Sequence, residues 1–313
     1  MSKYQSIRRI LYFLTAIPFL LLLACFFAVK KDISLESLKN KYTNTESQFI
    51  LFQGMPVHYR DEGSGELIVL LHGTGASIHT WDDWVNGLKN DYRVIRMDLP
   101  AFGLTGPHPE RDYSIQSYAH FVSSFLDQLE VDSFALVGNS LGGRIAWYVA
   151  ASNPGRVSKL ALIDASGFPM PKTKLFQMAQ KPLTSFLIKK ITPRNLVKKN
   201  LEEVYFDDAM VDDALVDRYW EMARRTGNRQ AFIDRARTQF EDDTALLTKI
   251  TCPTLVMWGN QDQWIPVSHA HKFKRMIPQS KLAIIENAGH VPMEERPAES
   301  LALFREFMQT ENQ

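Results

Sequence analysis

Short apolar runs alternate along this chain with longer stretches of helical periodicity, and that alternation limits the fold more than any other feature. ELIVLLHG (Glu66–Gly73), SFALVGNS (Ser133–Ser140), VSKLALIDAS (Val157–Ser166) and CPTLVMWGN (Cys252–Asn260) each end in a loop rich in Gly, Ser, Asn or Asp. A continuous apolar run of this length suits a strand covered on both faces. YRVIRMDLP and KLAIIEN supply two more strands. SQFILF and MPVHYRDEG read as an opening hairpin around Gly54. Between the runs lie WDDWVNGLKN, IQSYAHFVSSFLDQL and LGGRIAWYVAASNP, which read as helices, the last stopped by Asn153-Pro154. Strands separated by helix-length crossovers form a mostly parallel sheet with helices on both sides. The expected class is therefore α/β.

The 313 residues are enough for a large core, and 45 % hydrophobic with 23 % charged residues is ordinary globular composition. A net charge of +1 argues against a nucleic-acid partner, which calls for a basic domain or stripe. Cys25 and Cys252 make neither a disulfide framework nor a metal site. No His, Cys or carboxylate set stands at ligand spacing, so no metal is expected.

The N-terminus departs from this ordinary composition. Twenty residues from Ile10 to Val29 carry no charge, with a basic flank over 1–9 and Lys30 and Lys31 after them. At 1.5 Å per residue such a helix spans about 30 Å, a bilayer's hydrocarbon thickness. The expectation is a single-pass membrane anchor over 10–29, with membrane lipid as a partner and a polar linker over 30–47. The rival is a lipoprotein: LLAC (Leu22–Cys25) resembles a lipobox, with Cys25 as the lipidated residue. Both put the protein on a membrane.

The stretch 168–249 lacks strand-like runs and reads as a helical insertion, a cap on a core made of 48–167 and 250–313. From Lys172 to Lys199 it carries eight basic residues and no acidic one. Such a run is a solvated face or a surface for anionic headgroups. Phe176, Phe186 and Tyr205 are the residues expected to meet an apolar substrate.

LVGNSLGGR places Ser140 between glycines where a strand meets a helix. Gly138 and Gly142 remove side chains from such a turn, which exposes the serine hydroxyl. A nucleophilic serine needs a base, an acid to orient the base, and donors for the oxyanion. His290 in ENAGHVPMEERP follows the last strand and is the candidate base. Asp262 in WGNQDQWIP also follows a strand and is the candidate acid; Asp164 is the alternative. The amides of Thr74 in LHGTG and of Leu141 are the expected oxyanion hole. Asp98 and His72 read as loop-shaping residues, and His269 and His271 as surface residues of a helix. The order Ser140, Asp262, His290 is the one expected of this kind of triad.

HGTG, DLPAFGLT, GNSLGGR, WGNQDQWIP and NAGHVPMEERP together resemble the successive motifs of the α/β-hydrolase superfamily, from Gln48 to the C-terminus. The resemblance implies the α/β-hydrolase fold, a cap after the sixth strand, and a serine hydrolase that uses water and no cofactor. With the N-terminal segment it is similar to membrane-anchored monoacylglycerol lipases and related carboxylesterases, which implies a small lipophilic ester as substrate. WGNQDQWIPVSHA also resembles hydrolases that cleave carbon–carbon bonds in ring-fission products. Those enzymes usually carry a tryptophan after the catalytic histidine, where this chain has Val291. A third reading is a silent hydrolase fold used as a binding module.

Overall fold

Strand burial explains the layering. Every residue of Phe134–Asn139 (β5) and of Thr254–Gly259 (β7) is buried, as a strand covered by helices on both sides requires. The computed structural model describes residues 29–310. With Ser47–Phe52 (β1), Met55–Gly63 (β2), Glu66–Leu71 (β3), Tyr92–Met97 (β4), Val157–Ile163 (β6) and Lys281–Ile285 (β8), these strands make one eight-stranded sheet. Its order is β1-β2-β4-β3-β5-β6-β7-β8. The hairpin β1–β2 and the β2–β4 pair are antiparallel, and the other pairs are parallel.

The chain starts its parallel part in the middle of the sheet. From β3 it goes outward to β4, then returns across to β5 on the other side. The loops after β3 and β5 therefore leave in opposite directions and open a crevice at the carboxyl ends of the strands, the usual ligand position in such sheets. HGTG follows β3 and Ser140 follows β5, so topology alone brings both to that crevice.

One face of the sheet packs against the helices Ile115–Gln128, Leu141–Ser152 and Ser268–Met276. The other takes Asp82–Leu88 and Pro297–Met308. Trp84 and Phe304 stack there with ring centroids 4.9 Å apart, and the Trp84 indole donates to Ser300 Oγ at 2.9 Å. Ser114 caps the helix from Ile115 by accepting from the Ser117 amide, as its position before an apolar-periodic run predicts.

Between β6 and β7 the chain forms the helices Lys174–Gln180, Pro182–Lys190, Arg194–Val204, Asp213–Ala223 and Asn228–Arg237. Within the basic run, Arg194 pairs with Asp213 and Asp217 at 2.7 and 2.6 Å, and Lys198 faces Glu202 at 3.9 Å. Part of that charge is thus answered by the acidic residues that follow it.

Two expectations for the N-terminal part change. The segment 30–47 is more than a linker: Leu35–Tyr42 is a helix capped by Ser34 and anchored by the buried Leu38. It lies against the insertion, with Lys41 paired to Glu221 at 2.8 Å and Asp32 to Arg229 at 2.5 Å. Its periodicity is hard to read because one buried leucine suffices to seat it. The expected membrane localisation is corrected as well. Among the described residues no helix is long and apolar enough to cross a membrane. The longest, Ile115–Gln128, has 14 residues and reaches only about 21 Å. The stretch expected as the anchor, 10–29, and Cys25 lie outside the described residues, Val29 excepted.

Phe304→Ala should destabilise the protein by about 3–5 kcal/mol, the cost of deleting a buried aromatic ring. Urea denaturation measures it; a change below about 1 kcal/mol would mean that the Trp84–Phe304 stack does not hold the last helix.

Candidate functional site

Ser140 occupies the turn between β5 and the helix Leu141–Ser152 with φ 55° and ψ −112°. A non-glycine residue held there costs on the order of 1–3 kcal/mol and persists only where its surroundings enforce it. They do so through backbone contact. A Cβ on Gly142 would lie 2.1 Å from the Leu71 carbonyl oxygen, and one on Gly138 2.2 Å from that of Gly142. The Ser140 amide donates to the Ile163 carbonyl at 3.0 Å, and its own carbonyl accepts from Ser166 and Arg144. The turn is thereby fastened to β3, β5 and β6 at once.

Ser140, Leu141 and Thr74 line one cavity of about 270 Å³. Gly73 packs so closely that a Cβ there would sit 3.1 Å from Ser140 Cβ, which sets the HGTG loop beside the serine. His72 shapes this loop from below. Its Nδ1 donates to the Gly73 carbonyl at 2.7 Å and its Nε2 accepts from the Leu99 amide at 2.9 Å, so it carries one proton and is neutral. Burial keeps it so by lowering its pKa. Asp98 accepts from the Ile78 and Leu104 amides and from His58 Nδ1 at 2.7 Å. Burial alone would push its carboxyl up, but the facing His58 and the Leu104 amide hold it well below the usual carboxylate range.

His290 and Asp262 meet. His290 Nδ1 lies 2.7 Å from Asp262 Oδ2, and both side chains are buried. Asp262 Oδ1 accepts from the Trp264 and Ile265 amides at 2.7 and 3.0 Å, which leaves Oδ2 for the imidazole. The other ring nitrogen of His290 has no hydrogen-bond partner among the described residues.

Three further residues position this pair. Asn139 points away from the serine next to it and donates from Nδ2 to the His290 carbonyl at 2.9 Å and to Ile163 at 3.2 Å. Glu295 accepts from the Gly289 and Phe206 amides at 2.9 and 2.7 Å, clamping the loop just before His290. Their polarity at buried positions was the available signal. Asp164 is the third. It has φ 45°, and its Oδ1 accepts from the Gly259 amide at 3.0 Å. It, Asp262 and His290 bring ligand-type atoms within 4.8 Å of one another. Burial, with the Asp262 charge beside it, raises the Asp164 carboxyl well above the usual range. Asp262 is already committed to the imidazole and two amides, while Asp164 Oδ2 has no hydrogen-bond partner among the described residues.

Other expected residues fall elsewhere. Of the three cap aromatics, Phe176 lines the Ser140 cavity. Phe186 is exposed, and Tyr205 donates to Glu294 at 2.7 Å, outside that cavity. His269 is buried against Phe168, whereas His271 is exposed as expected. Phe168 and Met170, just after β6, also line the cavity.

Residues 66–297 match the family model described as alpha/beta hydrolase fold. An uncharacterized protein of Mycobacterium tuberculosis is 30 % identical over 278 residues, covering 84 % of this chain and 81 % of its own. The 2-hydroxy-6-oxononadienedioate/2-hydroxy-6-oxononatrienedioate hydrolase 2 of Pseudomonas putida is 29 % identical, over 82 % of this chain and 92 % of that one. Among solved structures, a membrane phospholipase A described as a bacterial virulence factor superposes with a TM-score of 0.72 at 26 % identity, covering 97 % and 98 % of the two chains.

The raised Asp164 carboxyl makes stability pH-dependent in a definite sense. Above about pH 4 the unfolded chain has lost this proton and the folded one keeps it, so stability falls as pH rises toward the folded pKa. Asp164→Asn, whose amide imitates the protonated acid, should remove that slope. Wild type should lose up to about 1.4 kcal/mol per pH unit relative to the variant. Parallel denaturation series from pH 4 to 8 measure this, and coincident slopes would show that Asp164 is ionised in the fold.

Proposed function

The chain belongs to the alpha/beta hydrolase fold family, and from that premise we propose that it is a serine hydrolase acting on carboxylic esters through Ser140, His290 and Asp262. The strained backbone of Ser140 carries this reading. Packing needs no serine at φ 55°, whereas a nucleophile gains from a turn that presents its hydroxyl to a cavity.

Ser140 Oγ attacks the acyl carbon while His290 Nε2 takes its proton. Asp262 fixes the imidazole tautomer through Nδ1 and stabilises the imidazolium. The amides of Thr74 and Leu141 receive the oxyanion, aided by the helix N-terminus at Leu141. His290 then returns the proton to the leaving alcohol, and water, activated by the same imidazole, hydrolyses the acyl-enzyme. The sequence of steps needs no cofactor. Asp164, whose carboxyl burial and the Asp262 charge push up, stands beside Asp262 without replacing it.

The insertion 168–249 acts as a cap on the cavity. Phe168, Met170 and Phe176 give it an apolar wall suited to the acyl chain of a lipophilic ester such as a monoacylglycerol. The phospholipase A likeness supports the ester reading. The Pseudomonas putida relative favours a second one, hydrolysis of a carbon–carbon bond in a vinylogous diketone acid. Val291 in place of tryptophan weighs against it.

Three outcomes test these statements. Ser140→Ala should lose fluorophosphonate labelling and ester turnover with its melting transition retained; wild type that neither labels nor turns over an ester panel or a ring-fission acid would be a silent fold. Asp262→Asn should lower kcat by roughly 10⁴-fold and Asp164→Asn by far less, and the reverse order would move the acid to the end of β6. With p-nitrophenyl esters, two more acyl carbons should raise kcat/KM roughly tenfold until the cavity is full, since each buried methylene contributes about 0.8 kcal/mol. A steep loss beyond butyrate would exclude a lipid-like acyl chain.

A further inference from the structure

Arg235, on the helix Asn228–Arg237, lines the same cavity as Ser140. Its guanidinium carbon lies 5.3 Å from the centroid of Phe176 and 6.0 Å from that of Phe102, so the cation sits among rings. Among the described residues Arg235 has no salt bridge, although seventeen such pairs occur elsewhere. The nearby acids are engaged already. Asp234 holds Arg111 in a two-pronged pair at 2.7 Å, Glu241 accepts from Gln116 at 2.7 Å, and Asp243 faces Arg144 at 3.6 Å. Burial lowers the Arg235 pKa, with only the Tyr118 hydroxyl as a partial offset. The cation is half-buried, and among the described residues no carboxylate answers it; a partly desolvated charge favours an anionic partner.

We propose that Arg235 anchors an anionic group, carboxylate or phosphate, carried by the substrate away from the bond that is cleaved. With the rings of Phe176 and Phe102 and the Tyr118 hydroxyl as its neighbours, the guanidinium has no carboxylate partner among the described residues, and its fork of N–H donors matches the oxygens of either anion. Lys172 lines the same cavity and adds to its positive side, while Arg144 and Glu241, also in the lining, are engaged with Asp243 and Gln116. The substrate class is then an amphiphile: a reacting carbonyl at Ser140, an apolar stretch along Phe168 and Phe176, and a negative end at Arg235. This inference rests on the hydrolase reading of Ser140 and holds for either bond.

The test compares three p-nitrophenyl esters of equal chain length: the mono-ester of adipic acid, its neutral primary-amide twin, and one ending in a methyl phosphate. Wild type should favour an anionic ester over the amide by about tenfold to a hundredfold in kcat/KM, the range of one charge-assisted hydrogen bond. The larger of the two preferences names the anion. In Arg235→Met the ratio should collapse toward one, and Arg235→Lys should keep part of it. A wild-type ratio of one, or a ratio untouched by Arg235→Met, overturns the proposal. Should Arg235→Met not fold, competition with wild type decides: adipate must inhibit at least tenfold more tightly than 1,6-hexanediol, and equal inhibition overturns the anchor. Failure of the hydrolase reading looks different, with no ester turned over and no fluorophosphonate label on Ser140. Calorimetric titration with adipate against the diol then still reads the anchor alone.

Discussion

Close backbone approach at the first turn of the helix Leu141–Ser152 is the constraint on which the rest of the site depends. Gly138 and Gly142 let that helix descend onto the carbonyl of Leu71 until no Cβ fits between them. The descent forces the intervening residue to positive φ and lifts its side chain off the sheet. It also sets the amide of Leu141 beside the HGTG loop. One steric condition thus sets both the serine at the cavity wall and the HGTG loop beside it.

Around this turn the protein spends buried polar groups freely, and nearly all of them hold backbone. Asp98 with His58 fixes the loop after β4, His72 fixes the loop after β3, Asn139 ties the serine strand to the histidine loop, and Glu295 clamps that loop from beyond. Each is worth little in net stability once desolvation is counted. Their common effect is to fix four loops relative to one another, and loops otherwise are the least constrained part of an α/β fold.

Much of this was legible in the sequence because it depends on local rules. Continuous apolar runs located the strands, and strand-end placement located Ser140, Asp262 and His290. Gly138 and Gly142 announced the sharp turn. Other features depend on distant partners and left a weak trace. Asp164 looked like an alternative acid, yet its effect comes from lying beside Asp262, some hundred residues onward. His269 reads as a surface residue from its lysine neighbours, but Phe168 covers it. Tyr205 has the composition of an acyl contact and is instead used to hold Glu294. The helix Leu35–Tyr42 shows only one buried leucine, and its docking site arises when the insertion folds.

That docking has a consequence for the order of assembly. Asp32 and Ile33 bond to Arg229, Arg224 and Thr226, partners nearly two hundred positions later. On a ribosome adding about 5–20 residues per second, the early segment waits roughly 10–40 s for its binding surface to emerge. The contacts between the early segment and the insertion can form only once Arg229 has emerged, while β7 and β8 are still to be added.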